Sequence, residues 1–451
     1  MRMSEFSLTL VLSNQKGYNS NMAAKVQTKI EKVSARAGIF CAESYFHGFQ
    51  LDNLLNEVLG VRSKAHNGFQ WSEVILPLFD TCLCVGDYLE DVNEIGNDLR
   101  LAPGAHVPSS DTIGRAIKEL AVEDICYTAK CSGQSYAFNT NPKLNGLLME
   151  SAIRMGLLKK GQMVDVDFDH VLIPCDKADA KYSYKQAYGY FPGVYSIDGV
   201  IAYVENRDGN TPVKFRQADT HRRAFSLFRQ KGQTVRQFRA DCGSYSEEVV
   251  KVIDDNCLSF YLRAANSQSL YAQIQRGTRW TPAEINYQKC EVASVMFSQF
   301  LEDRHYRLVV QRTKVEDGEG MEDLFGGKYV YRCILTNDWE RTEQDIITIY
   351  NKRGARERDF DSLNNDFMWK HLPCSYLKEN TAFMILMAMC KNFFTALMRK
   401  LSGIFHGITP NGRLKRFVFH FITVPGKWIR TARTWKLKLY TDRPYEKLVS
   451  T

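Results

Sequence analysis

The spacing of apolar positions changes along the chain. In residues 45–122, apolar side chains recur at every third and fourth position, which is typical of amphipathic helices and predicts a helical N-terminal unit. From Gln162 onward, short runs rich in Val, Ile, Tyr and Phe surround one helical segment at 219–231. Strands that alternate with helices predict a mixed α/β sheet.

Further strand-like runs in residues 265–338 interrupt that alternation before helices resume near Thr342, so we expect an inserted β-rich subdomain. The predicted segments are a flexible N-terminus at 1–21, a helical, DNA-binding region at 22–155, the first part of an α/β core at 156–264, the insertion at 265–338, the second part of the core at 339–398 and a basic C-terminal segment at 399–451.

The positive charge of the chain is concentrated at its C-terminal end. The net charge is +8, but residues 399–451 hold 12 Lys and Arg against 2 Asp and Glu, which leaves −2 for the rest. Aromatic residues interleave with these basic residues, which favours contact with nucleic acid. There are two alternatives: a basic tail that packs its aromatic side chains on the core, and a helix that lies on a membrane surface. The basic residues expected to contact DNA are Arg413, Lys415, Arg416, Lys427, Arg430 and Arg433.

The twelve cysteines are scattered without a Cys-x-x-Cys pair, which indicates reduced thiols in a cytoplasmic protein. The longest apolar stretch, at 381–390, has about half of the roughly 20 residues that cross a membrane. We therefore expect no transmembrane segment.

One short helix in the N-terminal unit has a basic face. The stretch VPSSDTIGRAIKELA predicts a helix with its N-cap at Ser109, Ser110 or Asp111. Arg115 and Lys118 point away from its apolar side, as in the recognition helix of a helix-turn-helix, so we expect them to contact DNA. Any capped amphipathic helix with one basic face is the alternative.

Three acidic residues alternate along one predicted strand, MVDVDFDH. Because side chains alternate across a strand, Asp165, Asp167 and Asp169 project to the same face. Carboxylates aligned in this way repel one another and lose solvation, so a divalent cation is the expected partner. A strand end decorated with acidic turn residues is the alternative.

Two further motifs supply acidic side chains. Asp241 ends the apolar run VRQFRAD, where ligand groups gather in open α/β sheets, although a turn residue would look the same. In DIITIYNKRGARERDF, a continuous helix would place Tyr350, Arg353 and Glu357 on one narrow face. The alternative for this segment is a charged helix with a solvated face.

Together these motifs resemble the DDE transposases of bacterial insertion sequences, in the branch with the Tyr-Arg-Glu signature. The resemblance covers about residues 35–400 and includes a strand that closes the insertion with Thr336 and Asn337. It implies a ribonuclease-H-like mixed sheet flanked by helices and interrupted by a β-rich insertion. It also implies a cytoplasmic, nucleoid-associated enzyme of cut-and-paste transposition, which nicks and transfers strands at terminal inverted repeats.

Carried onto this chain, the resemblance implies that Asp167, Asp241 and Glu357 are catalytic and hold two Mg²⁺ ions, for which Mn²⁺ substitutes. Asp165 is the alternative for the first position. Tyr350 and Arg353 are implied to contact DNA phosphates. The implied partners are double-stranded DNA, as transposon ends and target, and a second copy of the chain in a synaptic dimer.

One position departs from the family pattern. The family usually carries a Lys seven residues after the Glu, where this chain has Asn364. Either Lys370 or another basic residue takes the place of that Lys, or activity is reduced. This departure leaves open a catalytically inactive, transposase-derived DNA-binding protein. The Asp-x-Asp at the strand end leaves open another function, because it also resembles the nucleophile motif of an Asp-x-Asp phosphatase of the haloacid-dehalogenase type.

Overall fold

The computed structural model describes residues 29–265, 267, 270–271, 274, 278–301, 303–315 and 328–448, with three short strands outside these ranges. These strands are Thr9–Val11 (β1), Ala23–Lys25 (β2) and Met321–Glu322 (β16). The predicted flexible segment at 1–21 therefore lies, apart from β1, outside the described residues.

The helices of the described residues fall mainly at the two ends of the chain. They are α1 (Ile39–Gly48), α2 (Leu51–Leu59), α3 (Trp71–Leu83), α4 (Val92–Leu99), α5 (Ser110–Glu119), α6 (Pro142–Arg154), α7 (Gln217–Gln230), α8 (Glu247–Asp254), α9 (Glu343–Asn351), α10 (Glu357–Asn365), α11 (Leu377–Leu401) and α12 (Leu414–Phe417).

The N-terminal helices pack around α11 in one apolar core. Phe393 of α11 lies against Phe46 and Phe79, with ring centroids 5.7 and 6.4 Å apart. α5 begins at a Ser109 cap, whose hydroxyl accepts from the backbone N–H of Thr112, so the predicted helix start is present. By length and composition α11 could cross a membrane, but 94% of its most apolar window is buried within the protein.

The remaining strands are β3 (Ile125–Thr128), β4 (Ser135–Asn139), β5 (Met163–His170), β6 (Ile173–Pro174), β7 (Lys181–Tyr182), β8 (Tyr188–Tyr190), β9 (Gly193–Ile197), β10 (Val200–Arg207), β11 (Thr234–Ala240), β12 (Cys257–Arg263), β13 (Thr281–Ile285), β14 (Gln288–Phe297), β15 (Tyr306–Lys314), β17 (Lys328–Thr336), β18 (Gly426–Thr431) and β19 (Thr434–Leu439).

Five strands form the centre of the large sheet, in the order β10-β9-β5-β11-β12. β5, β9 and β10 pair antiparallel, whereas β11 and β12 run parallel to β5 and are connected through α7 and α8. Each parallel connection needs a crossover, and a helix supplies it. This arrangement confirms the predicted ribonuclease-H-like mixed sheet flanked by helices.

The two regions on either side of this centre extend the same sheet. β17, at the end of the predicted insertion, pairs antiparallel with β12, so the insertion strands continue the sheet as β13-β14-β15-β17. At the other edge, β3 and β4 form a hairpin that joins β10. This hairpin lies inside the predicted helical region at 22–155, where its short alternating runs are outweighed by the long helical pattern around them.

The C-terminal segment returns to the N-terminal helices. Backbone bridges join Ser34 to Gly426 and Arg36 to Val424. Phe417 and Phe421 are fully buried in the helical core, whereas Phe419, Trp435 and Tyr440 are exposed. The aromatics of this segment are therefore divided between core packing and surface. All twelve cysteines, which lie at described positions, are free thiols.

Candidate active site

The acidic residues of two neighbouring strands lie in register. β5 and β11 pair in parallel so that Asp167 is opposite Arg239 and Phe168 is opposite Ala240. Asp241 directly follows Ala240, and this register brings it to the row of Asp169. The alternation predicted for the aspartates is present, but the partner of each one depends on the neighbouring strand.

Arginines of β11 neutralise two of the three aspartates. Arg239 donates to both carboxylate oxygens of Asp167, at 2.7 and 2.8 Å, and the two side chains are only 9% and 3% exposed. Arg236 makes the same two-pronged contact with Asp165, at 2.8 Å for each bond, but is half exposed. Neither arginine was predicted from the sequence as a site residue. For Arg239 a signal was present, because it lies two residues before Asp241 and alternation puts both on one face. Arg236 has the opposite parity, and it reaches Asp165 at the irregularity in register between Val235 and Gln237, which local alternation does not predict.

The third aspartate of β5 faces the Tyr-Arg segment. The guanidinium of Arg353 donates to Oδ2 of Asp169 at 2.5 Å. Burial raises the pKa of Asp169 to about 6, although Arg353 acts to lower it, and the nearby charge of Asp241 raises it further. Asp241 in turn accepts a hydrogen bond from the backbone N–H of Gly243 at 2.9 Å.

The segment with Tyr350, Arg353 and Glu357 is not one continuous α-helix. α9 ends at Asn351, a 3₁₀ turn spans Lys352–Arg356, and α10 begins at Glu357. A 3₁₀ turn advances about 120° per residue rather than about 100°, so its five residues rotate Glu357 by about 100° relative to Tyr350. The face that a continuous helix would provide is therefore broken, and the expectation of a shared narrow face was wrong.

The ends of β5 and β11 that carry Asp167, Asp169 and Asp241 form what we call the acidic edge. Tyr350 and Arg353 remain at this acidic edge, whereas Glu357 lies apart. Both Tyr350 and Arg353 interact electrostatically with Asp241, and burial raises the pKa of Tyr350. Glu357 is exposed at the first position of α10. A narrow cleft at the acidic edge is lined by Asp167, Asp169, Arg353 and Asp359. Among the described residues, its lining does not include Glu357.

Asp359 was not singled out from the sequence, because it lies within a run of charges. Its carboxylate pairs with Lys391 of α11 at 3.2 Å. Farther along α10, Oδ1 of Asn364 is buried and finds no hydrogen-bond partner among the described residues. Lys370 donates to Asn365 at 2.5 Å and lies near Asp361, beyond the end of the helix.

The donor chemistry of the acidic edge fits a divalent cation such as Mg²⁺, which prefers carboxylate oxygens. Asp165, Asp167 and Asp169 each already bind a cationic guanidinium. Within the described part of the chain, no three His, Cys, Asp or Glu side chains converge in a preformed metal site. The carboxylates are therefore neutralised by arginines in this arrangement.

The other predicted DNA contacts lie on the surface, except for Lys427. Arg115 and Lys118 are exposed on α5, as are Lys415, Arg416, Arg430 and Arg433 in the C-terminal segment. Arg413 is also exposed, but its guanidinium bridges Asp366, at 2.7 Å, and Asp361. Lys427 is half-buried and lies 3.6 Å from Glu31.

Comparison with known protein families gives a match over nearly the whole chain. A family model described as "Transposase DDE domain group 1" matches residues 16–451. Among solved structures, the chain is similar to piggyBac transposase in a synaptic complex with hairpin DNA. The identity is 12%, the TM-score is 0.45, and the match covers 86% of this chain and 80% of that one. No curated protein matches the sequence.

Proposed function

Because this chain belongs to the group 1 family of DDE transposase domains, we propose that it catalyses cut-and-paste DNA transposition by metal-dependent phosphoryl transfer. The family membership confirms the predicted DDE class. The bacterial insertion-sequence origin and the Tyr-Arg-Glu signature stay predictions. The family match gives no support to the phosphatase alternative.

The observation that carries the proposal is the acidic edge of the sheet. Two parallel strands bring Asp241 into the row of Asp169 and next to Asp167, and the cationic Arg353 faces them. A carboxylate-rich edge with a nearby guanidinium suits phosphoryl transfer, because the phosphate needs cations on both sides of the reacting bond.

We assign Asp167 and Asp241 to the first two acidic positions and Glu357 to the third. Bound at these carboxylates, two Mg²⁺ ions would activate the attacking water or 3′-hydroxyl and stabilise the leaving oxygen. Asp165 remains an alternative for the first position. Asp169 is a further one, because it shares the row of Asp241.

The other side chains of the edge orient the DNA. In the structure, Arg239 binds the Asp167 carboxylate and Arg353 binds that of Asp169. If Mg²⁺ occupied these carboxylates, it would compete with both guanidinium groups, and Arg353 and the hydroxyl of Tyr350 are the donors that would bind a DNA phosphate. Glu357 has to approach the edge by a change in the 3₁₀ turn that precedes it.

DNA is held by the exposed basic residues, and two copies of the chain bring two transposon ends together in a synaptic dimer. Arg115 and Lys118 on α5, and the exposed basic residues of the C-terminal segment, are assigned to phosphate contacts. Each phosphate that is neutralised releases counterions, so we expect binding to weaken steeply with salt.

The test is a nicking assay on DNA that carries the terminal inverted repeats flanking the gene. We expect nicking that requires Mg²⁺ or Mn²⁺ and is lost in Asp167→Ala, Asp241→Ala and Glu357→Ala, while binding of the ends persists. Glu247→Ala is the matched control for Glu357, because Glu247 is also an exposed acidic residue at the first position of a helix. Full cleavage by Glu357→Ala would overturn the assignment.

A second function is favoured by one observation, the amide of Asn364 at the position where the family usually has a Lys. A transposase-derived protein that only binds DNA would bind the terminal repeats without nicking them. The same assay separates the two functions: binding without metal-dependent nicking by the wild-type chain supports the binding protein. Nicking that increases in Asn364→Lys would instead indicate an active enzyme with reduced activity.

A further inference from the structure

A hairpin next to the acidic edge exposes three tyrosines. β7 and β8 are joined by a short turn. Together with β6 they form a small sheet, which follows β5 and precedes β9 along the chain. Tyr182, Tyr184 and Tyr188 are 54%, 65% and 54% exposed. A group of neighbouring exposed aromatic side chains is a feature of binding surfaces, because a contiguous apolar patch on a folded protein is otherwise buried in its core.

The turn of this hairpin is held in one conformation. The backbone N–H of Ser183 donates to the carbonyl of Ala187 at 2.9 Å, and the Ser183 hydroxyl accepts from the N–H of Lys185 at 3.2 Å. Gln186 takes a left-handed conformation, with φ of 59°. Gly189 packs directly on β6, where a Cβ would meet the carbonyl oxygen of Ile173 at 2.2 Å. Because the backbone of the turn is already fixed, this segment loses little conformational entropy when it binds a ligand.

A chain of ring contacts ties Tyr184 to the acidic edge. Its ring meets the buried ring of Phe191 edge to face at 5.8 Å, and Phe191 stacks on His170 at 5.3 Å. The backbone N–H of His170 donates to Asp169 at 2.8 Å. Tyr184 also interacts electrostatically with Asp241. The exposed ring is therefore fixed beside the carboxylates assigned to catalysis.

Positive charge accompanies the ring. Nζ of Lys185 lies 5.9 Å from the Tyr184 ring and 5.8 Å from that of Phe191. Behind them, the buried guanidinium of Arg207 lies 5.3 Å from Phe191, and its Nη2 finds no hydrogen-bond partner among the described residues. A ring flanked by cations is suited to a nucleotide, which combines a flat base with an anionic phosphate.

We propose that Tyr184 and Lys185 form a nucleotide clamp. The ring of Tyr184 stacks on an unpaired base beside the cleaved phosphate, and Lys185 pairs with the adjoining backbone phosphate. This inference rests on the proposed transposase function, because it places the reacting strand at the acidic edge. A base can stack on the Tyr184 ring only after it has left the duplex stack, and the contacts of the clamp offset the cost of that unstacking.

The test uses the full chain and a duplex with an unpaired end labelled with 2-aminopurine, whose sequence is arbitrary because stacking tolerates any base. We expect the wild-type chain to quench the label. Tyr184→Ala should lose the quenching and weaken binding of the unpaired end by about 5- to 150-fold, the equivalent of about 1–3 kcal/mol. Tyr184→Phe should retain both, because it keeps the ring. Lys185→Gln should weaken binding and lower its salt dependence.

Controls separate this inference from the proposed function. Tyr287→Ala removes a tyrosine that is 98% exposed at another hairpin turn and should leave binding unchanged. Asp241→Asn should lose nicking while it keeps the quenching. If wild-type protein nicks DNA but Tyr184→Ala binds paired and unpaired ends as wild type does, the clamp is wrong. If no nicking occurs but quenching requires Tyr184, the proposed catalytic function fails, and what stands is the binding of an unpaired nucleotide by Tyr184 and Lys185.

Discussion

The buried pair of Asp167 and Arg239 gives the sharpest test of how the acidic edge is held together. Arg239→Met keeps a long apolar side chain and removes the charge and its donors. Asp167 is 3% exposed, so its carboxylate would stay in the interior without its two-pronged partner. The carbonyl of Ile349 would also lose the donor that Arg239 provides at 3.0 Å.

The expected loss follows from that burial. Removing one partner of a buried ion pair costs about 3–5 kcal/mol. Arg353 still interacts electrostatically with Asp167, so we expect the lower part of that range, about 3–4 kcal/mol of unfolding free energy. Arg236→Met is the matched control: it removes the same contact geometry from Asp165 at a half-exposed position. There the expected loss is about 1 kcal/mol or less.

Urea unfolding followed by circular dichroism measures both losses. In a metal-free buffer, Arg239→Met should unfold at a clearly lower urea concentration than Arg236→Met, with a similar dependence on denaturant. If Asp167 binds Mg²⁺, added Mg²⁺ should stabilise Arg239→Met more than the wild type, because no guanidinium competes for the carboxylate. Equal losses for the two Met variants would refute the argument from burial.

Three further predictions follow from other parts of the molecule. Burial raises the pKa of Glu43 to about 7 and that of Asp80 well above its usual range, so the folded state retains protons that the unfolded chain releases. The unfolding free energy should therefore fall as pH rises from about 4.5 to about 7, and less so in Asp80→Asn, measured by urea unfolding across that range. Ser109→Ala should lower stability by about 1 kcal/mol in thermal melts, because α5 loses its cap; no change would refute the cap. Replacing Arg430 and Arg433 by Gln should reduce the slope of log binding constant against log salt by about 2, and an unchanged slope would remove both from the DNA contacts.

Local patterns in the sequence predicted much of this protein. Alternation placed Asp165, Asp167 and Asp169 on one face of a strand, and the polar run before α5 limited its cap to three residues, of which the structure uses Ser109. The succession of strands and helices was enough for a mixed α/β sheet. These features depend on residues close in sequence, so backbone geometry and side-chain periodicity already determine them.

The sequence by itself thus determined which side chains share a face, and the tertiary structure decided which of them meet. The register of β5 against β11 joins residues about 70 positions apart. It pairs Asp167 with Arg239 and places Asp169 in the same row as Asp241. A shift of one residue would have sent these side chains to opposite faces of the sheet. Likewise, a 3₁₀ turn before Glu357 moved this residue off the face of Tyr350. Such choices are made by packing between distant segments, which local periodicity does not encode.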